Sequence, residues 1–161
     1  MKTLILVRHA KSSRDDPALA DKERPLNDRG EHDAPKMGQR LAQRGVEPDL
    51  ILSSPAQRAL TTARIIAKKL DYKRKNIVVE EGLYPGGADT LLDVIRELDD
   101  KHECVMLFGH NPGLAELAHR LAGEITDMPT CAAAELRFDA ESWSTIGKAK
   151  LAQWALDYPK K

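Results

Sequence analysis

Four side chains in this 161-residue chain carry chemistry that could be combined: Arg8 and His9 in "LVRHAKSS", Arg58 in "SSPAQRA", and His110 in "GHNPG". A guanidinium presents a planar fork of donors that matches an oxyanion. A neutral imidazole can attack an electrophile or share a hydrogen bond at neutral pH. Taken singly, each residue has a plainer explanation. Arg8-His9 would be a solvated strand end, Arg58 a surface helix residue, and His110 a corner histidine bonded to backbone.

The elements that must carry these residues decide between the two readings. "TLILV" at the start, "LIL" within residues 49–53, "NIVVE" at 76–80 and "CVMLF" at 104–108 read as buried strands. Their near-continuous apolar character, without alternation, points to a parallel sheet covered on both faces. Helical stripes lie between them. Met37 and Leu41 share one face, with Gly45 as the stop and Pro35 as either the start or a kink. Ala59, Ala63, Ile66, Ala67 and Leu70 form a second stripe. Leu91, Val94, Ile95 and Leu98 form a third, and Leu114, Leu117, Ala118 and Leu121 a fourth, closed by Gly123.

This alternation predicts a three-layer α/β/α fold with a mostly parallel sheet. The tail differs, because "AAELRFD" and "AKLAQWAL" flank a turn segment and read as two further strands forming an antiparallel sheet edge. No repeat, linker or low-complexity stretch divides the chain, so residues 1–161 are expected to form a single domain.

In open α/β sheets, ligands bind outside the carboxyl ends of the parallel strands. "RHA", "SSPAQR" and "GHNPG" all fall at such ends. In the second, Ser54 is expected to cap a helix and Pro55 to occupy its first position. Arg58 then lies about one turn in, leaning back toward the strand end beside the positive pole of the helix. In the third, Asn111 can cap and Pro112 can lead, which leaves His110 at the corner. Two arginines and two histidines on one rim would repel one another unless an anion sat among them. Their equivalent placement therefore favours a phosphate-like ligand. His32, His102, His119 and Arg64 have no such placement and are read as surface or partly buried residues.

For phosphoryl transfer, positioning and countercharge do most of the work. His9 is the candidate nucleophile, because no Ser or Cys has the setting of an activated one. Nearby arginines would keep its imidazole unprotonated. His110 would donate to the phosphoryl oxygens, and water would then hydrolyse a phosphohistidine on His9. No cofactor is called for, and no carboxylate cluster suits magnesium at these ends.

Four separated motifs, "LVRHAKSS", "RPLNDRG", "SSPAQRALTTA" and "GHNPGL", together resemble the histidine phosphatase superfamily, and most closely its short SixA-type phosphohistidine phosphatases. The likeness runs from about Thr3 to Leu121. It implies a phosphoglycerate-mutase-like fold and two-step transfer through His9. Arg8, Arg58 and His110 would line the phosphate pocket, with Asn111 an additional candidate. "EGLY" keeps a Glu-x-x-Tyr spacing similar to that of the mutases, which nominates Glu81 as an acid for ester cleavage. A solvent-facing glutamate explains the same residue. Lys11 could widen the positive field and Arg24 could lie near the pocket mouth, although a surface role suits either.

Three functions follow as expectations. The first is a metal-independent phosphatase acting on phosphohistidine in phosphorelay-type proteins. The second is a small-molecule phosphatase or mutase with Glu81 as acid, and the third a phosphoprotein-binding module without turnover. Lys plus Arg equals Asp plus Glu at 25 each, so no global field steers the chain to nucleic acid or membrane. "MKTLILV" is too short an apolar run for a signal peptide. Cys104 and Cys131 read as free thiols, and the expectation is a cytoplasmic monomer.

Overall fold

The computed structural model describes all residues, 1–161. Its strands are β1 (Lys2–Arg8), β2 (Leu50–Ser53), β3 (Val78–Val79), β4 (Cys104–Gly109), β5 (Ala133–Asp139) and β6 (Lys150–Asp157). They form one sheet in the order β3-β2-β4-β1-β5-β6. The four left-hand strands pair in parallel, while β5 runs antiparallel to β1, and β6 antiparallel to β5. The antiparallel C-terminal edge and the three-layer architecture are as the sequence predicted.

The helices are α1 (Asp28–Gln43), α2 (Gln57–Lys69), α3 (Ala88–Arg96) and α4 (Gly113–Leu121). Successive residues of β1 point to opposite faces. Ile5 and Val7 join Met37, Leu41, Ile66 and Phe108 beneath α1 and α2. Leu4 and Leu6 join Leu91, Ile95, Leu117 and Trp143 beneath α3 and α4. All four of these β1 side chains are fully buried, which is why the strand reads as continuously apolar.

Several local expectations are corrected. The segment 76–80 is not a buried strand. Only Val78 and Val79 pair, at the sheet edge, and each is 44% exposed. Pro35 does not begin α1 but lies inside it. The helix starts at Asp28, where the Asn27 side chain accepts from the Gly30 N–H at 2.9 Å. Gly45, at φ +79°, supplies the left-handed turn beyond its end. Ser54 does not cap α2, which opens at Gln57, so Arg58 is its second residue and not one turn in. α4 opens at Gly113, and Asn111 accepts from the Ala115 N–H at 3.2 Å from just outside it. Both cysteines are free, Cys131 buried and Cys104 partly so. No helix is long and apolar enough to cross a membrane.

Between β1 and α1 a strap, residues 11–27, runs over the carboxyl end of the sheet. Its ends are tied: the Ser13 N–H donates to the Pro25 carbonyl at 2.8 Å and the Asn27 N–H to the Lys11 carbonyl at 3.0 Å. Gly30 lets α1 approach this strap, because a Cβ there would lie 2.1 Å from the Lys11 carbonyl oxygen. In an ordinary helix interior Gly→Ala is favourable. Here Gly30→Ala is expected instead to destabilise by about 1–3 kcal/mol through overpacking. Urea unfolding checks this, and a midpoint at or above that of the wild type would contradict the close approach.

Candidate active site

β1 delivers Arg8 and His9 to the carboxyl edge of the sheet. Backbone hydrogen bonds hold the corner on both sides. The His9 N–H donates to the Gly109 carbonyl at 3.1 Å, and the Cys131 N–H donates to the His9 carbonyl at 3.0 Å. The imidazole is 8% exposed, and its Nδ1 lies 2.7 Å from the Ala10 carbonyl oxygen. A carbonyl can only accept, so Nδ1 carries the proton and Nε2 keeps a free lone pair.

Thr62, in the middle of α2, links this corner to Arg58. Its Oγ1 accepts from the Ala10 N–H at 3.0 Å and donates to the Arg58 carbonyl at 2.7 Å. Arg58 is buried, with Nη1 donating to the Asp21 carbonyl at 2.7 Å and Nη2 to the Asp21 carboxylate at 3.0 Å. Arg8 donates through Nη1 to the Met128 carbonyl at 3.1 Å, and Asn111 Nδ2 donates to the same oxygen at 2.9 Å.

His110 follows β4. Its ring centroid lies 5.1 Å from that of His9. Ser54 Oγ accepts from the Ala56 N–H at 3.1 Å and meets His110 Nε2 at 2.8 Å. Ser54 can thus donate to a bare Nε2, the tautomer with a hydrogen on Nδ1, or accept from a protonated Nε2. That Nδ1 is buried without a partner, as are Arg8 Nε and Arg58 Nε. Buried polar atoms without partners need an explanation. The three residues that carry these atoms all border one cavity.

The cavity has a volume of about 470 Å³ and no hydrophobic lining residue. Arg8, His9, Arg58, His110 and Asn111 all border it, so the structure brings together those five residues named from the sequence. Glu81 does not border it. It sits in a 3-10 turn, its side chain is 76% exposed, and its nearest cation is Lys22 at 3.8 Å. The turn that points Glu81 outward carries Tyr84 inward, with its ring 5.4 Å from that of His110. Arg24 is not a surface residue: it is buried in the wall of the cavity.

Asp21 is the site carboxylate that sequence reasoning missed. It accepts from Arg58 Nη2, from Tyr84 OH at 2.5 Å and from Arg24 Nε at 3.1 Å. The Tyr84 hydroxyl first, then Arg58 and Arg24, hold its carboxyl well below the usual carboxylate range. No group of three His, Cys, Asp or Glu side chains is arranged to hold a metal ion.

Burial is the largest influence on both imidazoles. It lowers His9 to about 3, with His110, Arg58 and Arg8 adding to the effect and the Ala10 carbonyl opposing it. It lowers His110 to about 4, with Arg58 the next contributor. The sequence had credited the arginines first.

A parallel-sheet edge bearing two arginines and two neutral imidazoles around a wholly polar cavity defines a phosphoryl-handling α/β/α protein. The chain belongs to the histidine phosphatase superfamily (branch 1), a group of hydrolases, whose family model matches residues 4–84. A chloroplast protein of Arabidopsis thaliana is 36% identical over 150 residues, covering 88% of this chain and 69% of that protein. The SixA structure from Agrobacterium tumefaciens superposes with a TM-score of 0.80 at 28% identity, over 96% of this chain and 97% of that one. The protein histidine phosphatase SixA complexed with tungstate shares the fold, with a TM-score of 0.81 at 23% identity over 98% and 97% of the two chains.

Linkage ties these imidazoles to stability. In the unfolded chain each takes a proton near 6.5, whereas the folded values are about 3 and about 4. The unfolded state thus binds more protons as pH drops below 6.5, so this stability is complete above that pH and is lost toward the folded values. The urea midpoint is expected to fall between about pH 7.5 and about pH 5. A His9→Asn/His110→Asn variant should show a shallower fall. An equal slope in that variant would assign the loss to other groups.

Proposed function

We propose that the chain is a metal-independent phosphatase that carries the phosphoryl group on His9 Nε2. The observation that carries this reading is the His9 Nδ1–H to Ala10 carbonyl bond, which fixes the tautomer with its lone pair on Nε2. In the first step an Nε2–P bond forms while the bond from phosphorus to the leaving group breaks. Arg8, Arg58 and His110 offset the charge on the equatorial oxygens. In the second step water attacks phosphorus, the Nε2–P bond breaks, and inorganic phosphate leaves with the proton shared between product and solvent. A tautomer locked this way would be superfluous in a module that only bound phosphate.

Phosphohistidine in a protein is the substrate this site suits best. Cleaving an ester calls for a protonated acid near the leaving oxygen. Asp21 is held ionised by Tyr84, Arg58 and Arg24, and Glu81 stands outside the cavity beside Lys22. A phosphoramidate bond is weaker and its imidazole leaves more readily, so it needs less acid assistance. The shared fold with the protein histidine phosphatase SixA supports the same substrate class.

Rapid-quench labelling tests the mechanism. Wild-type protein should trap an acid-labile phosphoenzyme, and His9→Ala should lose both the label and at least about a thousandfold in turnover. Turnover at the wild-type level in His9→Ala would end the proposal. Glu81→Gln should change phosphohistidine cleavage by less than about twofold, and a large selective loss on esters would restore Glu81 as their acid.

A further inference from the structure

The strap that walls the cavity carries more positive charge than the transferred phosphoryl group needs. Five cationic side chains border the cavity, namely Arg8, Lys11, Arg14, Arg24 and Arg58, against the carboxylates of Asp15 and Asp21. Arg8 and Arg58 flank His9. Asp21 is occupied by Arg58, Arg24 and Tyr84. Arg24 is spent inside the strap, where Nη1 donates to Ser12 Oγ at 2.9 Å and to the Ser13 carbonyl at 3.2 Å. Lys11 and Arg14 remain. Both are exposed, both border the cavity, and neither side chain makes a hydrogen bond or ion pair within the protein.

Unpartnered surface cations are usually solvated charges of no consequence. Here two features argue otherwise. The chain has no net charge, so this local excess is not a by-product of composition. The backbone bearing the two residues is also fixed by the Ser12–Leu26 bridge, the tied ends of the strap and Arg24 beneath them. Lys11 and Arg14 are thus held at the cavity wall, and no hydrophobic residue there suits an apolar substrate body.

We propose that Lys11 and Arg14 form a second anion subsite, which takes a carboxylate or phosphate carried by the same substrate as the transferred phosphoryl group. The subsite rests on the reading of Arg8, Arg58 and His110 as the phosphoryl pocket. Asp15, on the same wall, limits its capacity, because its carboxylate repels the anionic group that the two free cations attract. Such an anion could belong to a small diacid or to an acidic side chain flanking a phosphorylated histidine.

Equilibrium binding separates these without relying on turnover. The small probes are methylphosphonate, with one anionic group, and phosphonoacetate, with two. The peptide probes carry a non-hydrolysable phosphohistidine mimic, flanked by glutamates in one and by glutamines in the other. In wild-type protein the doubly anionic member of at least one pair should bind about tenfold more tightly at low salt, the ratio shrinking as salt is added. Lys11→Gln/Arg14→Gln should bring that ratio below about threefold, Lys11→Arg should retain it, and removing two distant charges with Lys68→Gln/Lys101→Gln should leave it in place. Discrimination confined to the small pair identifies a small diacid, and discrimination within the peptide pair identifies an acidic phosphoprotein. No discrimination in either pair, or a ratio that survives in Lys11→Gln/Arg14→Gln, overturns the subsite. Methylphosphonate binding that survives Arg58→Ala would instead overturn the phosphoryl pocket itself.

Discussion

A single buried imidazole, kept neutral and held in one tautomer, is the constraint on which the site depends. His9 cannot be protonated cheaply, because burial withdraws water from it and two guanidinium groups stand nearby. It cannot rotate freely, because Nδ1 is tied to the carbonyl of its own neighbour. That neighbour is anchored by Thr62, which in turn is bonded to the Arg58 carbonyl. One hydroxyl in the middle of a helix therefore ties the corner that carries His9 to the backbone that carries Arg58.

Around this point the architecture is economical. Three strand ends supply Arg8-His9, Ser54 and His110, and the backbone register of β4 with β1 and with β2 fixes their relative heights. The antiparallel edge matters for the same reason. The turn leading into β5 supplies the Cys131 N–H that grips His9 and lies beyond the Met128 carbonyl that receives Arg8 and Asn111.

Strand-to-helix order, the antiparallel tail and the four principal site residues were legible in the sequence because each follows from local rules: apolar runs, helical stripes and the carboxyl ends of strands. Asp21 was not legible. It lies in the strap of residues 11–27, which shows no periodicity, and its partners Arg58 and Tyr84 are distant along the chain. Thr62 was hidden because a buried threonine in an apolar stripe reads as packing. "EGLY" marked the right segment, but only the 3-10 geometry shows that Tyr84 turns toward the cavity while Glu81 turns away. The strand expected at 76–80 shrank to two exposed residues because it has a neighbour on one side only.

The two thiols have a consequence of their own. Burial is the main cause that pushes the Cys104 and Cys131 thiols up to about 12, with nearby carboxylates adding to it. Thiolate is the form that peroxide and alkylating reagents attack, and almost none exists here at neutral pH. With both thiols held protonated, the fold offers oxidants little of the thiolate through which they switch off cysteine-dependent enzymes.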